Sequence, residues 1–242
     1  MSNWKIEITL ISDTIIGSGE SWGAIIDTDV VFDQFGLPYI PGRRVRGVLR
    51  ESVTEVLEML YQARLLSEFG IQGRLNINEW LYEMFGKPGQ DEAKPLSISD
   101  CRLKGYEMMV GHLRYLQDKH SDLFTSEVVR NHYSVIRQQT AIDSNGIAMD
   151  KSLRTVRALM RGLVFEGNFK IGGNVSDKLV VLMGLAISNM RHIGTSRTRG
   201  FGEIKTSLKE KVENNWVDVL SKRKNTLKWE ASNEKTETII YA

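Results

Sequence analysis

Ile193-Gly-Thr-Ser-Arg-Thr-Arg-Gly-Phe-Gly202 is the stretch on which the reading of this chain turns. Before it, Leu179, Met183, Ala186 and Met190 recur at helical spacing, with Ser176 as a candidate N-cap. After it, Glu203-Ile-Lys-Thr-Ser-Leu208 alternates as a strand. From Lys178 to Gly202 there is no Asp or Glu. A loop so rich in glycine contributes little side-chain packing. What it offers is backbone N–H groups close to a ligand, with the guanidinium forks of Arg197 and Arg199 beside them. That combination suits phosphate.

A second acid-free segment lies far upstream, Pro38-Tyr-Ile-Pro-Gly-Arg-Arg-Val-Arg-Gly-Val-Leu-Arg50. Pro41-Gly42 opens a helix there. Val45, Val48, Leu49, Val53, Val56, Leu57 and Leu60 fall on one face. Arg43, Arg46 and Arg50 form a separate stripe, and Arg44 stands next to it. Gly47 costs roughly 1 kcal/mol relative to alanine inside a helix, and its small size would let another backbone approach. Two Gly/Arg segments of this kind point to a polyanion, nucleic acid first. The net charge is only +2, from 32 basic and 30 acidic residues, so the signal is local clustering and not bulk charge.

Working outward, Ile6, Ile8 and Leu10 alternate as a half-buried strand. Gly17-Ser-Gly-Glu-Ser-Trp-Gly23 resembles a dinucleotide fingerprint, but its spacing is one residue too long. It also leads into Ala24-Ile-Ile-Asp-Thr-Asp-Val-Val31, which reads as extended, so a Rossmann unit is rejected. Residues 65–94 read as an insertion with one short helix around Trp80–Phe85, and Leu96–Leu103 reads as a second strand. Residues 104–161 are polar and are expected to be strands and loops projecting from the body. Leu163, Phe165, Phe169 and Ile171 mark a third strand.

The order fits an α+β, ferredoxin-like β-α-β-β-α-β domain, with the sheet face opposite the helices open to RNA. The expectation is a single domain over residues 1–242. Its core covers about 4–64, 95–103 and 162–212, with a helical insertion at about 65–94, a thumb-like insertion at about 104–161 and a C-terminal extension at 213–242.

One cysteine, Cys101, excludes an internal disulfide framework and a cysteine-based zinc site; it reads as a small buried hydrophobe. His112, His120, His132 and His192 show no ligand spacing. No apolar run approaches a membrane span and no signal-peptide core is visible, so the expectation is a soluble, cytoplasmic protein without a membrane partner.

In order along the chain, several segments resemble the RAMP superfamily, and within it the backbone subunit of type III CRISPR effector complexes. Ile16-Gly17-Ser18-Gly19 is similar to the family's early glycine segment, and Ala24-Ile-Ile-Asp27 to the loop bearing its catalytic aspartate. Leu37-Pro-Tyr-Ile-Pro-Gly-Arg-Arg-Val-Arg-Gly47 resembles its "IPGSSLKG" helix start. Phe85-Gly86 followed by Leu96-Ser-Ile-Ser-Asp100 resembles "LFG…IFSD". Thr140-Ala-Ile-Asp143 and Leu163-Val-Phe-Glu-Gly167 resemble the thumb and the strand after it. Ile193–Ile204 resembles the terminal "GGGRSRGFG" loop. The chain departs from the pattern at Arg43 and Arg44, and at Thr195 and Ser196, and it carries a second carboxylate, Asp29, near Asp27.

The resemblance implies a crRNA-binding subunit lying beside copies or paralogues of itself and other effector subunits. It would engage complementary target RNA, and a thumb would break the guide–target duplex at intervals. Arg43, Arg44, Arg46, Arg50, Gly194, Thr195, Ser196, Arg197, Arg199 and Gly200 would contact RNA. Asp27 would be catalytic, with a divalent metal, magnesium first, arriving transiently. The attacking group would be the RNA's own 2′-hydroxyl, so the enzyme chiefly enforces in-line geometry, and a nearby carboxylate can hold the metal or accept the proton. A non-catalytic scaffold of the same fold is the rival. A maturation endonuclease of the superfamily would use a histidine near the N-terminus, and no histidine precedes His112.

Overall fold

A computed structural model describes residues 4–17, 29–87, 95–140, 143–147, 149, 152–173 and 175–223. It is a mixed α+β structure on an antiparallel sheet. The elements run β1 (Trp4–Leu10), β2 (Tyr39–Ile40), α1 (Gly42–Gln62), α2 (Leu75–Phe85), β3 (Leu96–Ile98), β4 (Cys101–Leu103), α3 (Tyr106–Lys119), α4 (Ser126–Tyr133), β5 (Ser134–Gln139), β6 (Arg154–Leu159), β7 (Val164–Ile171), α5 (Asp177–Asn189), β8 (Ile204–Val212), β9 (Asn215–Asp218) and α6 (Val219–Lys222). The main sheet has the order β2-β4-β7-β1-β8-β9, with β3 also on β7. β5 and β6 form a separate hairpin.

β1 sits between β7 and β8, antiparallel to both. Its alternation decides its faces. Ile6, Ile8 and Leu10 are buried with Phe165 and Phe169 of β7 and Leu208 of β8. Fully burying side chains of this size contributes about 1.5–3 kcal/mol each. α1 and α5 cover that face and are tied by Ser52, whose hydroxyl donates to the Ala186 carbonyl at 2.7 Å. Ser176 caps α5 as expected, accepting from Leu179 N at 3.2 Å. On the opposite face Lys209 and Lys104 hold Glu7 at 2.6 and 3.5 Å, and Lys5 holds Glu166 at 2.8 Å.

The expected strand over Leu96–Leu103 is two strands. Ile98 pairs with Phe169 and Arg102 with Glu166, so one extra residue is accommodated between them. This bulge turns Asp100 toward α1, where its carboxylate accepts from Gly42 N at 2.8 Å. An N-terminal donor of α1 is thereby satisfied by a charge of the favourable sign. A Cβ on residue 42 would lie 2.2 Å from the Ile98 carbonyl oxygen, so only glycine fits.

The expectation of strands and loops for 104–161 is corrected. The segment opens with two helices, α3 and α4, before the hairpin β5–β6. Each helix buries one residue, Val110 and Val129, so the periodic signal in sequence is faint. The hairpin also contributes to a core. Val156 and Ala158 pack with Ile15 in a small cluster that includes Val135 and Phe201. Within the expected extension, residues 213–223 are described and pack on the sheet: Val219 is fully buried, and Arg223 bonds Glu210 at 2.9 and 3.2 Å. Among the described residues no helix is long and apolar enough to cross a membrane.

Candidate nucleic-acid interface

The two Gly/Arg segments meet on one extended strip, residues 13–17. Gly202 N donates to Asp13 O at 2.9 Å, and Thr195 N to Ile15 O at 3.0 Å. The glycines make this docking possible. Gly194 has φ +88°, and a Cβ there would sit 2.3 Å from the Ile15 carbonyl oxygen. Gly202 has φ +80°, with the Ile193 oxygen 2.2 Å from the same point. Ser196 also takes a left-handed conformation, φ 60°, and starts the tight turn Arg197–Arg199 that Gly200 closes. Arg197 Nε donates to Gly194 O at 3.2 Å, and its guanidinium lies 3.7 Å from the Glu51 carboxylate on α1. Arg199 donates to Gln139 Oε1 of β5 at 3.0 Å. Thr195, Arg197, Arg199 and Gly200 are exposed and Ser196 is half-buried.

The first segment reaches the same strip from the other side. Arg44 donates to the Gly17 carbonyl. Arg43 is exposed beside it. Both line a cavity of about 500 Å³ with Arg130, Asp29, Asp100 and Tyr39. Arg46 and Arg50, the residues of this helix most favoured for RNA by their spacing, are turned toward α2. Arg46 donates to Phe85 O at 2.5 Å, and Arg50 to Gly86 O at 3.4 Å while lying 5.6 Å over the Tyr82 ring. They cap the carbonyl end of α2, where the helix dipole favours cations. A guanidinium has five donors, so each retains N–H groups for a second partner. Gly47 is exposed, and a Cβ added to it would meet no atom within 4 Å, so the position is open to an approaching backbone.

Asp27 lies outside the described residues. Gly17 and Asp29, on either side of the segment that carries it, both line the 500 Å³ cavity. Asp29 is not a solvated turn acid. It is 3% exposed, accepts from Val30 N at 2.8 Å and faces the Arg157 guanidinium at 3.7 Å. Its partner is far along the chain, so no local pattern signals the pair. Arg130, also from the insertion, lies 5.5 Å over the Phe32 ring. Asp13 holds the hairpin, accepting from Arg137 at 2.7 Å and from Arg161 N at 3.2 Å. Asp33 organises its own turn, accepting from Phe35 N, Leu37 N and the Tyr106 hydroxyl at 2.9, 3.0 and 2.7 Å. Burial first, then that bond and the Asp33 charge, push the Tyr106 phenol up to about 12.

Cys101 is buried, as its sequence context suggests, and burial pushes its thiol up to about 12, with Asp100 adding to the effect. All four histidines are exposed. Among the described residues no three carboxylate, imidazole or thiol groups gather where they could hold a metal ion.

Among curated proteins no sequence matches this chain at a significant level. Solved structures do match its fold. One is a chain of the type III-B Cmr-beta complex bound to cognate target RNA, with TM-score 0.57, 13% identity, and coverage of 85% of this chain and 96% of that one. Another comes from the apo state of Cmr-beta, with TM-score 0.56, 14% identity, and coverage of 88% and 96%. The sequence model of the RAMP superfamily matches residues 7–205.

Proposed function

The chain belongs to the RAMP superfamily, and we propose that it is a crRNA-binding backbone subunit of a cytoplasmic type III CRISPR effector complex. It would pack beside copies or paralogues of itself and other effector subunits. One observation carries the reading. Two Gly/Arg segments far apart in sequence converge on residues 13–17, through Arg44 to Gly17 and Thr195 to Ile15. This brings arginines of both segments to one strip, the chemistry a guide backbone requires. The strand order, with β1 between β7 and β8 and both covering helices on one face, supports the ferredoxin-like reading of the sheet. The insertion at about 104–161, which carries the hairpin β5–β6, is the proposed thumb.

Target cleavage is the finer part of the proposal. Asp27 accepts the 2′-hydroxyl proton as the RNA is held in line; the 2′-oxygen bonds to the adjacent phosphorus, the P–O5′ bond breaks and the 5′-oxygen leaves as a hydroxyl with a proton from solvent, while a divalent ion, magnesium first, would accompany the RNA. A scaffold role without cleavage is the second reading. It is favoured by the commitment of four described aspartates: Asp13, Asp29, Asp33 and Asp100 all have structural partners. The test is to purify the complex, sequence the bound RNA and weigh the assembly by native mass spectrometry. Then cleavage of a complementary RNA is assayed with and without EDTA. Bound guide RNA with metal-dependent cleavage supports the first reading. Bound guide without cleavage supports the scaffold. No bound guide overturns both.

A further inference from the structure

The last four residues of β6, 156–159, are buried on both faces, which is unusual for one arm of a projecting hairpin. Val156 and Ala158 face Ile15 and Phe201, so one side is held by the strip 13–17 and the Gly/Arg loop. Alternation puts Arg157 on the other side. There it is 7% exposed, beside Asp29 at 3.7 Å and 5.9 Å over the Phe32 ring. Its Nε finds no hydrogen-bond partner among the described residues. Phe32 is shared with Arg130 of α4, so both chain passages at the base of the hairpin grip one ring.

A buried ion pair adds little net stability over apolar residues of similar size; its attested use is to select one arrangement. A slip of one residue in a strand exchanges its faces. Here a slip would bury Val156 or Ala158 against Asp29 and leave the arginine against Ile15. We propose that Asp29 and Arg157 are a positioning pair. They lock hairpin β5–β6 against residues 29–32, and so fix the thumb relative to the guide-binding loop on its other face. This rests on the function proposed above, in which the hairpin meets the guide–target duplex.

The test uses the assembled complex with its guide, in three variants of this chain: Arg157→Gln, Arg157→Lys, and the double change Asp29→Asn with Arg157→Gln. The double variant removes both charges and so avoids stranding one of them. Three quantities are read. The first is hydrogen exchange at the amides of Val30 and Val31, bonded to Asp29 Oδ1 and Ile16 O. The others are guide affinity and single-turnover target cleavage.

The proposal expects exchange at Val30 and Val31 to rise in the double variant, with guide affinity unchanged. Cleavage should fall by roughly ten- to a hundredfold, as misplacement of a reacting group does. Arg157→Lys should restore much of the rate. Unchanged exchange overturns the pair. So does a parallel loss of guide binding and cleavage, which marks a general folding role. Raised exchange with normal cleavage also overturns it. If the wild-type complex never cleaves, the cleavage reading fails on the wild type alone. Exchange and guide affinity then decide the pair: raised exchange with intact guide binding supports it, and anything else overturns it.

Discussion

Gly202 and Gly200 sit two residues apart with nearly the same φ, +80° and +82°, yet their surroundings differ. A Cβ on Gly202 would meet the Ile193 carbonyl oxygen at 2.2 Å; one on Gly200 would meet nothing within 4 Å. Gly200→Ala should therefore lose only the left-handed penalty, about 1–2 kcal/mol. Gly202→Ala should lose clearly more and should also disturb the Gly202–Asp13 bond. Urea unfolding of both variants checks the order. For Arg197 and Arg199 the expected effect is on RNA. Their double alanine variant should weaken binding for every sequence and reduce the salt slope by about one per lost phosphate contact. A folded double variant with the wild-type slope would remove this loop from the interface. Arg46→Ala should add a loosening of α2, visible as reduced helix protection, because its guanidinium bonds the Phe85 carbonyl at the end of that helix. A guanidinium aimed at a distant carbonyl looks the same in sequence as one aimed at phosphate. The loop was legible because its composition is local. The work of Arg44, Arg46 and Arg50 was not.

Among the elements, those with one strongly buried face were readable: α1, β1, β7 and α5 lie close to where their apolar periodicity puts them. The bulge had also left a trace. Leu96 and Ile98 occupy even positions, and Cys101 and Leu103 odd ones, so the alternation changes phase between them. A slip of that kind within one apparent strand is what an extra residue produces. α3 and α4 were missed because each is anchored by a single buried valine, too little to impose a period. The open sheet face makes a prediction of its own. Burial alone would raise the Glu7 carboxyl, but the hydrogen bond and charge of Lys209, aided by Lys104, outweigh it and hold Glu7 below its ordinary value of 4.5. Glu210 is depressed likewise by Arg223 and Lys222 against its own burial. A carboxyl depressed in the folded state stabilises it above the unfolded value and loses that contribution as pH falls through the folded value. Stability should thus be level near neutrality and decline below about pH 4.5. In Glu7→Gln the acid-side decline should be shallower, as followed by thermal melts across pH.

At the scale of the whole molecule, the decisive experiment is Asp27→Asn in the assembled complex. The change keeps size and removes charge. Guide and target binding should survive while cleavage falls by roughly a hundredfold or more, the range of a lost acid–base group. Normal cleavage in that variant would mean that another group accepts the proton. Asp29→Asn is a poor control, because it breaks a buried ion pair. There is also a consequence in how the insertion joins the sheet. Leu103 pairs with Phe165, and Lys104 N donates to Val164 O at 2.9 Å, so the chain leaves and re-enters the sheet between neighbouring backbone positions. Such a doorway tolerates grafts, since exchanging what lies beyond it need not shift the strands on either side. What a transplanted thumb must bring along is its own pair of arginines for Asp13 and Asp29. Chimeras between relatives should succeed or fail on those two sockets.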